Sequence, residues 1–211
     1  MPLKNILSRI IYTGDEMITD SLISDIKGLL SEKRFNHSMG VMRLAESLAA
    51  HYGIDSEKAA LAGILHDCAK EFDSEKMRRY FDMGNVTDRL ITTSPKLWHG
   101  IAGAYYAKEK YGIDDEIFDA IYYHTLSRMN MPMLTKIIYL SDNIEETRDA
   151  KLPWARGIRE KAYTDIDGAL VDTINHTLKY IIEKGYTMHP NAIMVRNEIL
   201  LNREQTGDNN E

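Results

Sequence analysis

The sequence predicts an all-α fold in a single domain, on three observations. Apolar residues recur at three- and four-residue spacing along almost the whole chain. No segment alternates apolar and polar residues as a half-buried strand does. No Pro/Ser-rich linker divides the 211 residues, and 44% of them are apolar, enough for a real core.

The elements follow in order. Ile18, Leu22, Ile26, Leu29 and Leu30 fall at helical spacing, as do Val41, Leu44, Ala45, Leu48 and Ala49, and Gly53 stops that second helix. Asp55 is a good N-cap for the next, with Leu61, Ile64 and Leu65 on one face. Ser94-Pro95 opens a helix to about Tyr111, stopped by Gly112. Asp114 starts another, to about Leu126. Pro132 opens the next, with Leu134, Ile137, Ile138 and Ile144 inside and Ser141 between them. A long helix carries Leu170, Ile174, Leu178, Ile181 and Ile182 up to Gly185, and a shorter one from about Pro190 carries Ile193, Ile199 and Leu200. The expectation is roughly eight to ten helices. Residues 16–202 form the domain, 1–15 an extension, and 203–211 a frayed polar tail.

Composition narrows the function. A net charge of −6 leaves no basic excess for general binding to nucleic acid or to a membrane surface, although a local basic site stays open. No apolar run approaches the ~20 residues of a membrane span. Ser8 and Arg9 interrupt the apolar stretch that a signal peptide needs. The lone Cys68 rules out an intrachain disulfide framework and fits a reducing cytoplasm. The expected location is cytoplasmic.

An internal echo carries the functional argument. "YGIDSE" at 52–57 and "YGIDDE" at 111–116 both read as a helix stop followed by a helix cap, the turn of an αα-hairpin. His37 opens the helix before the first turn and His66 closes the helix after it; His99 and His124 flank the second in the same way. At 1.5 Å per residue the arms of the first hairpin are about 24 and 18 Å long, and those of the second about 20 and 16 Å. The ends are level to within roughly one helical turn. If the hairpins pack side by side, four histidines and Asp67 converge at one end.

A His-Asp pair alone is a weak signal, since chance supplies about 0.6 of them at this composition. The bland alternative for His66 is a core histidine bonded to a backbone carbonyl. Convergence shifts the balance. Imidazole and carboxylate together suit a divalent transition metal such as Fe, Mn, Co, Ni or Zn, and the absence of cysteine ligands argues against a structural zinc. Asp142, inside the apolar helix of "KIIYLSDNIEETR", is the best further carboxylate. Glu145 and Glu146 read more simply as a solvated face. His51, His176 and His189 read as surface or packing residues, Cys68 as an ordinary buried thiol, and the pairs Tyr105-Tyr106 and Tyr122-Tyr123 as core.

With His37, His66-Asp67 and Asp142 in this order on an all-α chain, the sequence resembles the HD superfamily of metal-dependent phosphohydrolases. "RFNHSMGV" at 34–41, "AGILHDCAK" at 62–70, "WHGIAGAYYA" at 98–107, "AIYYHT" at 120–125 and "KIIYLSDNIEETRD" at 136–149 resemble the YqeK family, over about residues 20 to 195. The resemblance implies symmetrical hydrolysis of diadenosine tetraphosphate to two ADP, with iron or a similar ion bound. By motif match it implies His37, His66, Asp67 and Asp142 as metal ligands. Lys70, His99, His124, Thr125 and Arg148 would face the phosphates, with His37 beside them; Asp67, His99 and His124 would carry the catalysis. Two motifs depart from the family. Leu126-Ser127-Arg128 stands where Thr-Gly-Arg is common, and Ser141-Asp142-Asn143-Ile144-Glu145-Glu146 replaces "ADYIEP" without its proline.

Lys70 lies one turn after His66 and can lean to the same end; its ordinary role is a C-terminal lysine favoured by the helix dipole. Arg148 offers planar donors for phosphate, or else an ion pair with Glu145 or Asp149. His99 and His124 either donate to phosphate and leaving oxygen or bind a second metal bridged by Asp67; the resemblance favours the first. The expected partner is a small nucleotide, with a homodimer left open. The alternatives are another HD activity, as a nucleotide monophosphatase or cyclic-nucleotide phosphodiesterase, a nucleotide-binding regulator without turnover, or a purely structural helical domain with its histidines scattered.

Overall fold

The computed structural model describes residues 18–206. The expected N-terminal extension, the signal-peptide reading and residues 207–211 of the expected tail lie outside the described residues. Among the described residues there are eleven α-helices and no strand. In chain order they are α1 (Asp20–Leu29), α2 (Glu32–His51), α3 (Ser56–Leu65), α4 (Ser74–Asp82), α5 (Arg89–Thr92), α6 (Pro95–Tyr111), α7 (Asp115–Tyr123), α8 (Met133–Ile144), α9 (Ala155–Lys161), α10 (Ile166–Glu183) and α11 (Asn191–Thr206). The all-α expectation holds. The helices beyond those singled out by spacing are α4, α5 and α9.

The two hairpins form as the echo predicts, and for the same local reasons. Gly53 and Gly112 both sit at φ 67°, the left-handed conformation that ends a helix and that only glycine adopts at little cost. Asp55 then accepts a hydrogen bond from the Lys58 N–H at 2.9 Å, and Asp114 from the Ile117 N–H at 2.9 Å. The pairs α2–α3 and α6–α7 pack as units, α3 lies against α7, and α8 rests on α2, α3 and α7. The core runs between them, with Leu48, Ile64, Leu65, Ile121, Ile137 and Leu140 fully buried. The hairpins thus stand side by side, and α8 brings its own last turn to their open end.

Two helix ends and the burial of two apolar residues differ from expectation. α7 ends at Tyr123 rather than near Leu126, because the chain turns at His124 and Ser127 takes φ 54°. α10 keeps Leu170 and Ile174 in the core but leaves Ile182 69% exposed, and Ile193 on α11 is also exposed. α11 runs through Thr206, so the first residues of the polar tail are helical. No described helix is long and apolar enough to cross a membrane.

Replacing Gly112 by Ala forces a Cβ into the left-handed conformation. The variant should lose about 1–2 kcal/mol of stability, measured by urea denaturation.

Candidate active site

The four histidines meet at the open end. Ring centroids step from His37 to His66 (5.3 Å), from His66 to His124 (5.1 Å) and from His124 to His99 (5.0 Å). All four rings are buried, and so is Asp67. Asp67 Oδ1 stands 3.1 Å from His99 Nε2 and 3.7 Å from His124 Nε2. From α8, Asp142 Oδ1 reaches to 2.9 Å of His37 Nε2 and 3.6 Å of His66 Nε2. The scattered arrangement expected of a merely structural helical domain is absent from this cluster.

Hydrogen bonding fixes which nitrogen carries the proton in two of the rings. His66 Nδ1 lies 2.7 Å from the Gly63 carbonyl and His124 Nδ1 lies 2.7 Å from the Ile121 carbonyl. A carbonyl only accepts, so both rings donate through Nδ1 and turn an Nε2 lone pair toward the cluster. Arginine and lysine only donate. His37 Nε2 lies between the Arg148 Nη2 donor at 3.2 Å and the Asp142 Oδ1 acceptor at 2.9 Å, and His99 Nε2 between the Lys70 Nζ donor at 2.9 Å and the Asp67 Oδ1 acceptor at 3.1 Å. Four Nε2 atoms, two of them lone pairs by these bonds, and two carboxylates face one another.

Such a set calls for a cation. His66 Nε2 and Asp67 Oδ1 are buried and have no hydrogen-bond partner. Each orphan of this kind costs about 1–3 kcal/mol, against a whole-domain stability of about 5–15 kcal/mol. Two at one point are an expense that coordination would offset. The donors fit: His37, His66 and Asp142 offer ligand atoms within 4.8 Å of one another, as do His66, Asp67 and His124. Imidazole nitrogen with carboxylate oxygen, and no thiolate, suits a divalent transition metal. Both trios need His66, which has a single free nitrogen, so both cannot be filled through it.

The electrostatics agree. Burial pulls the His37 imidazole down, but hydrogen bonds to Asp142 and Glu145 outweigh it and leave the pKa above its ordinary 6.5. Burial drives His99 down to about 4, so this ring is neutral at pH 7. Burial pushes the Asp67 carboxyl up, yet the His66, His124 and His99 rings hold it well below the usual carboxylate range. Asp142 is likewise held low, by His37, His66 and Arg148 against the pull of burial.

Positive side chains rim the cluster. Lys70 lies 3.6 Å from Asp67 Oδ1 in addition to its contact with His99, so it does lean toward the cluster. Arg148 pairs with Asp142 at 2.8 Å; Asp149, one of its expected partners, is taken by Arg159. Its contact with Glu145, the other, is a distant 3.9 Å. Beside His37 opens a cleft of about 570 Å³ whose lining includes Lys33, Arg34, Arg148 and Lys151. Lys33, then Arg148 and Arg34, pull the Lys151 ammonium below its ordinary pKa. An acidic chain thus carries a local basic cleft. Thr125 Oγ1 is buried without a partner next to His124.

Two residues escaped the sequence reading. Glu145 was expected on a solvated face and is instead fully buried, with Oε1 2.8 Å from His37 Nδ1. Its sequence signals were its position three residues after Asp142 and its match to the glutamate of "ADYIEP". Arg34 places Nη1 3.3 Å from Asp67 Oδ2, and its signal was a spacing of one turn before His37. The remaining histidines lie outside the cluster: His51 is exposed, His176 stacks on Trp154 at 4.3 Å, and His189 pairs with Asp88 at 3.2 Å. Tyr106 is buried, and Tyr105, Tyr122 and Tyr123 are packed against apolar neighbours.

Fold and site together define an HD-type helical domain built around a histidine–aspartate cluster. The chain belongs to the HD domain family, which matches residues 34–147, and within it to the YqeK-like group. A relative named "Bis(5'-nucleosyl)-tetraphosphatase, symmetrical" from Halalkalibacterium halodurans is 37% identical over 180 residues, covering 85% of this chain and 95% of the relative. One of the same name from Bacillus subtilis is 36% identical, covering 86% and 97%. A crystal structure from Clostridium acetobutylicum, described as a "predicted HD superfamily hydrolase involved in NAD metabolism", aligns with a TM-score of 0.81 at 38% identity, over 87% of this chain and 97% of that one.

Cys68 adjoins the cluster in sequence but turns away from it, its thiol 3.7 Å from the Gly103 carbonyl oxygen. Burial pushes that thiol up to about 12. A disulfide reagent at about pH 8 should leave it unmodified in the native protein and label it fully in denaturant, read by absorbance.

Proposed function

We propose that this protein hydrolyses diadenosine tetraphosphate symmetrically to two ADP, as a metal-dependent phosphohydrolase. The observation that carries the reading is the pair of buried, unpartnered acceptors, His66 Nε2 and Asp67 Oδ1, beside His37 and Asp142. The names of relatives at 35–37% identity supply the substrate.

In this reading His37, His66, Asp67 and Asp142 hold one divalent ion. Iron is the first assignment, with manganese, cobalt, nickel or zinc as alternatives. When bound, the ion supplies a Lewis acid and lowers the pKa of a coordinated water toward ~7. The chain's own groups do the rest. Arg148 and Lys70 lie against acceptor atoms of the cluster and neutralise phosphate charge there. His99 Nε2 and His124 Nε2 lie 3.1 Å apart, and the two rings orient the phosphate and face the leaving oxygen. Thr125 adds an uncommitted hydroxyl. Residues 16–202 form the catalytic domain, and the location is cytoplasmic.

The assay is incubation of the metal-loaded protein with diadenosine tetraphosphate and chromatography of the products. ADP as the sole product is expected. AMP with ATP would mean asymmetric cleavage and sink the reading. Bound nucleotide with no turnover would favour a regulator. NAD⁺ belongs in the panel, given the description of the structural relative. Faster cleavage of a cyclic nucleotide or nucleoside monophosphate would favour the other HD activities. Asp67→Ala should lower turnover at least ~100-fold, and full turnover in that variant would remove the ligand assignment.

A further inference from the structure

Glu145 is fully buried at the C-cap of α8, where the chain leaves the helix in an extended conformation. Its side chain turns back onto α2 and receives His37 Nδ1 at 2.8 Å. Thr147 donates to the same carboxylate through its backbone N–H at 2.7 Å and through its hydroxyl. An ionised carboxylate has acceptors only, so three donors satisfy it without solvent. Burial pushes this carboxyl up, but His37 and Thr147 hold it below its ordinary pKa.

The space it occupies is made by a glycine. Gly40 lies one turn after His37 on α2, and a Cβ there would come within 2.4 Å of Glu145 Oε2 and 3.0 Å of Cδ. Gly40 has no left-handed conformation to explain it; the close approach of the carboxylate does. On the opposite side of the imidazole, His37 Nε2 lies 3.2 Å from Arg148 Nη2 and 2.9 Å from Asp142 Oδ1, and faces His66. With a metal on Nε2, the one proton of the neutral ring is on Nδ1, the nitrogen that Glu145 receives.

We propose that Glu145, seated in the gap left by Gly40, is a positioning residue that holds His37 as its Nδ1–H tautomer and aims Nε2 at the metal. The assignment rests on the metal reading above and adds a carboxylate–histidine–metal relay to it. Nδ1–H donated to a buried carboxylate also makes Nε2 more basic, and so a stronger ligand.

The test uses the full chain in two measurements. In alkaline buffer, where the ring is neutral, ¹⁵N NMR of the imidazoles in metal-free protein should report His37 protonated on Nδ1. Titration with Mn²⁺ should then show roughly 10- to 100-fold weaker binding for Glu145→Gln and for Gly40→Ala than for wild type. In Gly40→Ala the His37 ¹⁵N signals should also shift toward mixed tautomers. Glu145→Gln keeps the volume of the side chain, and Gly40→Ala reaches the same contact independently, so a folding failure in one leaves the other decisive. Variants that fold, keep the wild-type His37 tautomer and bind Mn²⁺ within twofold of wild type overturn the proposal. A wild type that binds no Mn²⁺ sinks the metal reading instead, and the tautomer comparison still decides the role of Glu145.

Discussion

His66 and His124 each close the helix that carries them. Where α3 and α7 stop, backbone carbonyls lose their partners, and the ring Nδ1 three residues on supplies one at 2.7 Å in both cases. The same bond sets the tautomer and turns Nε2 outward from the helix end. A satisfied core histidine and a ligand histidine are therefore not competing descriptions of His66. One nitrogen does what a core histidine does, and that frees the other to face the cluster. The rest of the site is arranged around these two rings: His37 and His99 enter from the opposite arms, and Asp142 from α8.

Charge is balanced locally. Asp67, Asp142 and Glu145 face Arg34, Lys70 and Arg148 across the four rings. Removing one partner from such a network leaves an uncompensated buried charge, which costs more than the pair contributes. The cluster is thus tied to the core by electrostatics as well as by packing. The excess of cations lies outside it, in the cleft beside His37. A chain of net charge −6 would repel a polyphosphate at long range, and that cleft is where the sign reverses.

The hairpins, their turns and the four histidines were legible because each rests on a short-range rule. A glycine in the left-handed region followed by an aspartate cap reads the same way twice, at 53–55 and 112–114. Arm length then places the histidines at one end without any knowledge of side-chain packing. Glu145 was illegible for the opposite reason. It lies just past the end of α8, where periodicity no longer says which way a side chain turns, and its burial depends on a gap in a helix more than a hundred residues away. The short helices α5 and α9 were missed because a helix of one or two turns has too few positions to reveal a face, whereas α4 is as long as α7 and buries Tyr80 and Phe81. Ser127 takes φ 54°, a left-handed conformation that a non-glycine residue rarely adopts, and no short-range rule marked it.

Antiparallel hairpins also order the backbone dipoles. The open end gathers the carboxyl ends of α3 and α7, which carry partial negative charge, and the amino-terminal turns of α2 and α6, which carry partial positive charge. Each terminus is worth about 0.3–1 kcal/mol to an ion of the right sign. The scaffold therefore offers fixed poles of both signs before any side chain is chosen. A cation is favoured near His66 and His124, and an anion near the starts of the other two arms. An ion and a phosphate side by side is the arrangement that such a set of poles accommodates, and it comes from the topology itself.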